Sequence, residues 1–220
     1  MKRQYFGDSK DCFKWDYHNY LVDALGYRQL QIVLMMTPDD DGPDGGTPPE
    51  RFAACPEVLN FCNDLRRTRE PADLATLPKK TAARYEVRLY KPYEILTNSN
   101  RVSYFWKITD GPDQVLFLDP DNGFEPERSF SEKHVRYAEV EHILSKLSAN
   151  SIVTVFQHHR RKTFDDDFSR IQKRLISGNS TAICSHSLMF VSISSSPAAI
   201  SRVRQINDIY AEQRPVRALP

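Results

Sequence analysis

The chain lacks most of the features that make a sequence easy to classify. Its four cysteines, Cys12, Cys55, Cys62 and Cys184, form no Cys-x-x-Cys pair and stand beside no histidine at zinc-finger spacing. That excludes a redox dithiol motif and a structural zinc motif, and leaves reduced, mostly buried thiols as the expectation. No apolar run approaches the roughly 20 residues of a membrane span. Met1-Lys2-Arg3-Gln4-Tyr5 leads into Gly7-Asp8 and not into an apolar secretory segment, so a cytoplasmic protein is expected. Charge of neither sign is in excess. Thirty Lys and Arg against twenty-nine Asp and Glu give a formal net charge of +1, so no global field announces nucleic acid or membrane, while a locally basic face remains compatible. No internal repeat and no clear linker divides the 220 residues, and one domain over 1–220 is expected.

What is present is a set of short apolar runs closed by polar turns. The central one is Val115–Leu118, followed at once by Asp119-Pro120-Asp121-Asn122-Gly123, the pattern of a strand buried on both faces. Gln29–Thr37 and Ser151–Gln157 read the same way, Tyr85–Tyr90 alternates as a half-exposed strand, and Ala182–Cys184 and Leu188–Ile193 add two more. Between them lie helical stretches: Asp11–Leu25 as an amphipathic helix with Asp11 as cap and Gly26 as terminator, Pro49–Arg67, His134–Leu147, Phe164–Ser177 and Pro197–Gln213. Asn98–Thr109 suits either a helix or a strand. Strands alternating with helices predict a Rossmann-like α/β fold, a mostly parallel sheet with helices on both faces.

In such sheets ligands bind beyond the carboxyl ends of the strands. Three ends carry polar clusters here: Thr37-Pro38-Asp39-Asp40-Asp41-Gly42, Asp119-Pro120-Asp121-Asn122-Gly123 and Gln157-His158-His159-Arg160. A pocket over these three ends is therefore the candidate site, with Asp119, Asp121 and His158 as candidate catalytic residues. Asp119 is expected to be an exposed strand-end residue. Period-2 alternation sends His158 and His159 to opposite faces, so only one can join. Asn122-Gly123 suits a left-handed turn, and Asp165-Asp166-Asp167 suits the positive end of a helix. Near the amino terminus, Asp8 and Lys14 could reach the acidic strand ends, where Lys14 would stay protonated among carboxylates.

The order of a Gly-Asp-x-x-Asp-x-x-Lys helix, a strand with an Asp/Gly-rich loop and a buried strand ending Asp-Pro resembles S-adenosylmethionine-dependent methyltransferases. The ribosomal-RNA adenine-N6 type and the three-Cys-motif partner type are the nearest in pattern. A set of bacterial and phage proteins with a Phe-Leu-Asp-Pro-Asp-Asn-Gly motif looks closer still. The resemblance implies that Asp39, Gly42, Gly45 and Gly46 border S-adenosylmethionine, with Asp8 and Lys14 alongside, and that Asp119 meets the acceptor amine. The chain departs from the family where Asp121 replaces a second Pro, where no aromatic follows until Phe124, and where the glycine spacing of the cofactor loop is replaced by acids.

Two other classes stay open. A buried strand ending Asp-x-Asp resembles phosphatases of the haloacid dehalogenase type. Asp119 would then be the nucleophile and Asp121 the acid/base, with Mg2+ held by Asp39, Asp119 and Asp121; a metal-dependent nuclease could use the same acids. A non-catalytic Rossmann-like binding module of a phage or defence system is the third reading, and it has no need to bring Asp39, Asp119 and His158 together. RNA or DNA could be met through Arg160, Arg161 and Lys162, the basic cluster nearest the expected pocket.

Overall fold

The computed structural model describes residues 1–40, 42, 45–108, 111–160, 162–176 and 178–220. After a single 3-10 turn the chain enters α1, Ser9–Leu25. Its cap is Asp8 and not Asp11. The Asp8 carboxylate accepts the backbone N–H groups of Lys10 and Asp11 at 2.8 and 2.9 Å, which satisfies donors that the first helical turn leaves unpaired. Gly26 ends the helix as expected, at a φ of 71°. The expected apolar stripe is not what defines α1, because Asp11, Lys14, Asp16 and His18 are buried along with Phe13, Trp15, Tyr17 and Leu21. The helix lies under α2 and α7 and so has little solvent-facing side.

Strand β1 spans Gln29–Val33, shorter than expected; Met35 follows at a φ of 48° and turns the chain. Pro49–Arg51 is a 3-10 turn, and α2 starts later, at Pro56, and runs to Thr68. Short α3, Leu77–Lys80, precedes β2, Glu86–Tyr90, and the ambiguous segment resolves as α4, Arg101–Trp106. Strand β3, Val115–Leu118, is buried throughout. Gly123–Phe124 (β4) and His134–Val135 (β5) form a small parallel pair in place of the start of the expected helix, which is confined to α5, Tyr137–Leu144. Then follow β6 (Ile152–His158), α6 (Phe164–Arg174), β7 (Asn179–Cys184), β8 (Leu188–Ser194), α7 (Pro197–Gln213) and β9 (Arg217–Leu219).

The seven-stranded sheet has the order β2-β1-β3-β6-β8-β7-β9. The first four strands are parallel, β8 runs against both β6 and β7, and β9 runs against β7. This is the Rossmann-like α/β arrangement. Alternate residues of each central strand feed opposite cores: Ile32, Phe117 and Phe156 pack under α1, α2 and α7, while Val33, Leu116, Leu118 and Val155 pack under α4, α5 and α6. Double-sided burial is what makes these runs continuously apolar. Val33, Leu118 and Val155 are in register across β1, β3 and β6, so the three polar strand ends share one edge.

Polar groups of α1 are satisfied from outside the helix. Asp16 accepts from the Tyr210 hydroxyl and the Arg214 Nε, each at 2.7 Å, and from the Cys55 N–H at 2.9 Å, which binds α1 to α7 and to the start of α2. His18 Nδ1 donates to the Lys14 carbonyl at 2.7 Å, and Nε2 accepts from Thr154 Oγ1 at 2.8 Å. Burial pushes this imidazole down to about 3. The unfolded chain therefore takes up a proton near pH 6.5 that the folded one refuses, and the stability tied to neutral His18 is lost as pH falls from there toward 3. In chemical denaturation between pH 4 and 7, His18→Gln is expected to flatten the loss seen in the parent by a few kcal/mol at most, since each tenfold difference in proton affinity is worth ~1.4 kcal/mol. An unchanged slope would show that His18 does not bear that proton linkage.

Candidate functional site

A cleft of about 690 Å3 opens over the shared strand edge. One wall is the start of α1 with Asp8, Asp11 and Lys14; another is the loop after β1, with Gly45, Gly46 and Thr47; the loop after β3 supplies Asp119, Pro120, Asp121 and Asn122; and β6 contributes Phe156 and His158. Its size suits a nucleotide-sized molecule.

The floor is a buried charge triad. Lys14 Nζ donates to Asp11 Oδ1 and to Asp119 Oδ2, both at 2.7 Å, and all three side chains are almost fully removed from solvent. Asp8, Asp11 and Lys14 sit three residues apart on one helical face, which aims them at the same space. Burial disfavours the Lys14 ammonium, but Asp11 and Asp119 outweigh it and hold the group above the usual lysine range. The rings of Trp15 and Phe156, each with its centroid 5.5 Å from Nζ, add a favourable face for the cation. Asp119 is 1% exposed, so the expected exposed strand end is in fact an interior carboxylate, because α1 covers the end of β3. Its second oxygen has no hydrogen-bond partner among the described residues, and the residue lines the cleft.

Asp121 is held differently. Oδ1 lies 2.6 Å from the Met1 ammonium and Oδ2 accepts from Thr37 Oγ1 at 2.5 Å. Burial works against its ionisation, yet the ammonium and Thr37 keep it below the usual carboxylate range. Asn122 makes no left-handed turn itself. Gly123 takes the positive φ, 97°, with the Gln157 side chain pressed where a Cβ would be. Asp8 is the carboxylate of the cleft with no ion pair within reach among the described residues; burial and the neighbouring Asp11 push it up to about 6. His158 faces the cleft, Nε2 3.1 Å from Lys10 Nζ and Nδ1 3.0 Å from the His159 carbonyl. His159 packs on the other side against Phe164, as the alternation predicted.

Other expected residues fall outside. Asp39 is exposed and accepts the Gln4 N–H at 3.4 Å, and Gly42 offers its carbonyl to Gln4 Nε2 at 3.4 Å; neither lines the cleft, whereas Gly45 and Gly46 do. Asp40, from the same acidic run, lines it and pairs with Lys2, and Asp41 lies outside the described residues. Asp39, Asp119 and Asp121 do not converge, and among the described residues no three His, Cys, Asp or Glu side chains group as metal ligands. Arg160 is half-buried and donates to the Phe124 carbonyl, Arg161 lies outside the described residues, and Lys162 is exposed. Sequence reasoning missed Lys10, Arg51, Lys133 and Phe156. Of these only Lys10, two residues after the cap and on the helical turn of Lys14, had a local signal. Among the described residues, no helix is long and apolar enough to cross a membrane. Comparison of the chain with protein families, with curated proteins and with solved structures finds no match.

Two outcomes test this geometry. Lys14→Met strands two carboxylates and is expected to cost about 3–5 kcal/mol in urea denaturation. Asp119→Asn leaves Lys14 with Asp11 and should cost less, about 1–3 kcal/mol; the reverse order would break the triad assignment. Asp8 binds its proton more tightly folded than unfolded, so the stability it lends is present at low pH and is lost as pH rises through about 6. Asp8→Asn keeps the cap. It should match the parent near pH 4 and exceed it by up to about 3 kcal/mol at about pH 7–8, and a pH-independent difference would contradict the assignment.

Proposed function

We propose that the protein is a methyltransferase-like enzyme that uses S-adenosylmethionine and acts on a base amine in nucleic acid. One observation carries the reading: at the carboxyl end of the central strand β3, Asp119 is fixed by Lys14 through one oxygen, while its other oxygen is left for an acceptor N–H. A carboxylate that cannot rotate is suited to orient an amine. The sheet gives support, since a reversed strand, β8, between the co-directional β6 and β7 is compatible with the methyltransferases that the motifs resemble.

The cleft's donor set fits the cofactor. Asp8 offers negative charge to its cationic groups, and Gly45 and Gly46 present backbone without side chains. When bound, S-adenosylmethionine supplies the methyl group. Asp119 orients the acceptor, Asp8 is ionised above about pH 6 and faces the cofactor's positive charge, and Phe156 offers an apolar ring lining the cleft. The phosphatase and nuclease alternatives need a second available acid beside Asp119, and both oxygens of Asp121 are taken, one by the Met1 ammonium and one by Thr37.

Isothermal titration with S-adenosylmethionine is expected to show one site per chain, and the melting midpoint should rise with cofactor concentration. Asp119→Asn should retain that binding and lose transfer of labelled methyl groups to RNA or DNA. No heat and no midpoint shift at millimolar cofactor would overturn the proposal.

A further inference from the structure

Most of the cleft's charges neutralise one another: Lys14 with Asp11 and Asp119, the Met1 ammonium with Asp121, and Lys2 with Asp40. Lys10, Arg51 and Lys133 also line the cleft, and none of the three forms an ion pair among the described residues. They come from separate elements: the first turn of α1, the 3-10 turn before α2 and the segment leading into β5. Lys10 Nζ is 3.1 Å from His158 Nε2, which fixes its position, and no carboxylate pairs with it among the described residues. Against these three cations stands one carboxylate without an ion pair, Asp8, which burial holds partly protonated near pH 6. A concave site with uncompensated charge of one sign concentrates the opposite sign in its mouth.

We propose that Lys10, Arg51 and Lys133 form a phosphate subsite that holds a phosphate group of the acceptor strand and so sets which nucleotide reaches Asp119. The proposal rests on the methyltransferase reading for the acceptor's role, but not for the binding itself. Three cationic donors from three elements line the one cleft, and a phosphate has oxygens enough for all of them, two of which Arg51 can bind at once. The subsite replaces the Arg160–Lys162 cluster as the phosphate contact, because Lys10, Arg51 and Lys133 line the cleft and Arg160 does not.

Fluorescence anisotropy of a labelled single-stranded RNA or DNA oligonucleotide, without cofactor, tests it. The parent protein is expected to bind with a strong salt dependence. Each of Lys10→Gln, Arg51→Gln and Lys133→Gln should weaken binding and lower the salt slope by about 1, while Lys79→Gln, an exposed lysine away from the cleft, should change nothing. Melting midpoints of the variants should match the parent, since the three side chains make no ion pair among the described residues. Competition separates the sources of phosphate: inorganic phosphate or AMP displacing the strand at its own concentration supports the subsite with a free nucleotide as ligand, and displacement only by oligonucleotide supports a strand. Equal binding by parent and triple variant, or displacement by acetate as effective as by phosphate, would overturn the subsite. Loss of binding in the variants beside an absence of S-adenosylmethionine binding would leave the subsite standing and remove the methyltransferase reading.

Discussion

The structure depends on a buried ammonium. Lys14 lies in the middle of the molecule, and an isolated charge there would cost more than the whole folding free energy of a typical domain. Asp11, one turn earlier on the same helix, and Asp119, at the end of the central strand, together make that position tenable. The consequence is geometric. Helix α1 cannot slide or rotate over the sheet without separating the pair, so the triad fixes the register of the helix layer against β3, and with it the position of the cleft wall. Asp8 at the cap and Lys10 beyond it inherit their places from that constraint.

The same pairing decides what chemistry remains. Lys14, Met1 and Lys2 are taken up by carboxylates, and Asp121 is taken up by the Met1 ammonium and Thr37. What is left lining the cleft is one oxygen of Asp119, the carboxylate of Asp8, His158 and the cations Lys10, Arg51 and Lys133.

Parts of this were legible in the sequence because they are local. The runs Val115–Leu118 and Ile152–Phe156 announce strands buried on both faces because each residue, whichever way it points, meets a core. Pro197 marks the first turn of α7, and alternation along β6 separates His158 from His159. The three polar strand ends fall on one edge because the parallel strands that carry them are neighbours in register. Other features were not legible. Whether Asp8 or Asp11 caps α1 depends on which carboxylate is drawn away, and Asp11 is drawn to Lys14. The acidic run after β1 reads as one cluster, yet only Asp40 of its described members lines the cleft, where it pairs with Lys2, while Asp39 is exposed.

The α/β class, the strands at the centre of the sheet and the edge at which polar residues collect were all written into the order of residues. They follow from hydrophobic periodicity, which each residue expresses within a few neighbours. Which charges would be buried, and with whom, emerged only once the chain was folded. Lys14 and Asp119 are 105 residues apart in the chain, and no local pattern encodes their meeting. Whether a carboxylate is a solvated turn or a fixed interior group depends on what the rest of the fold lays over it.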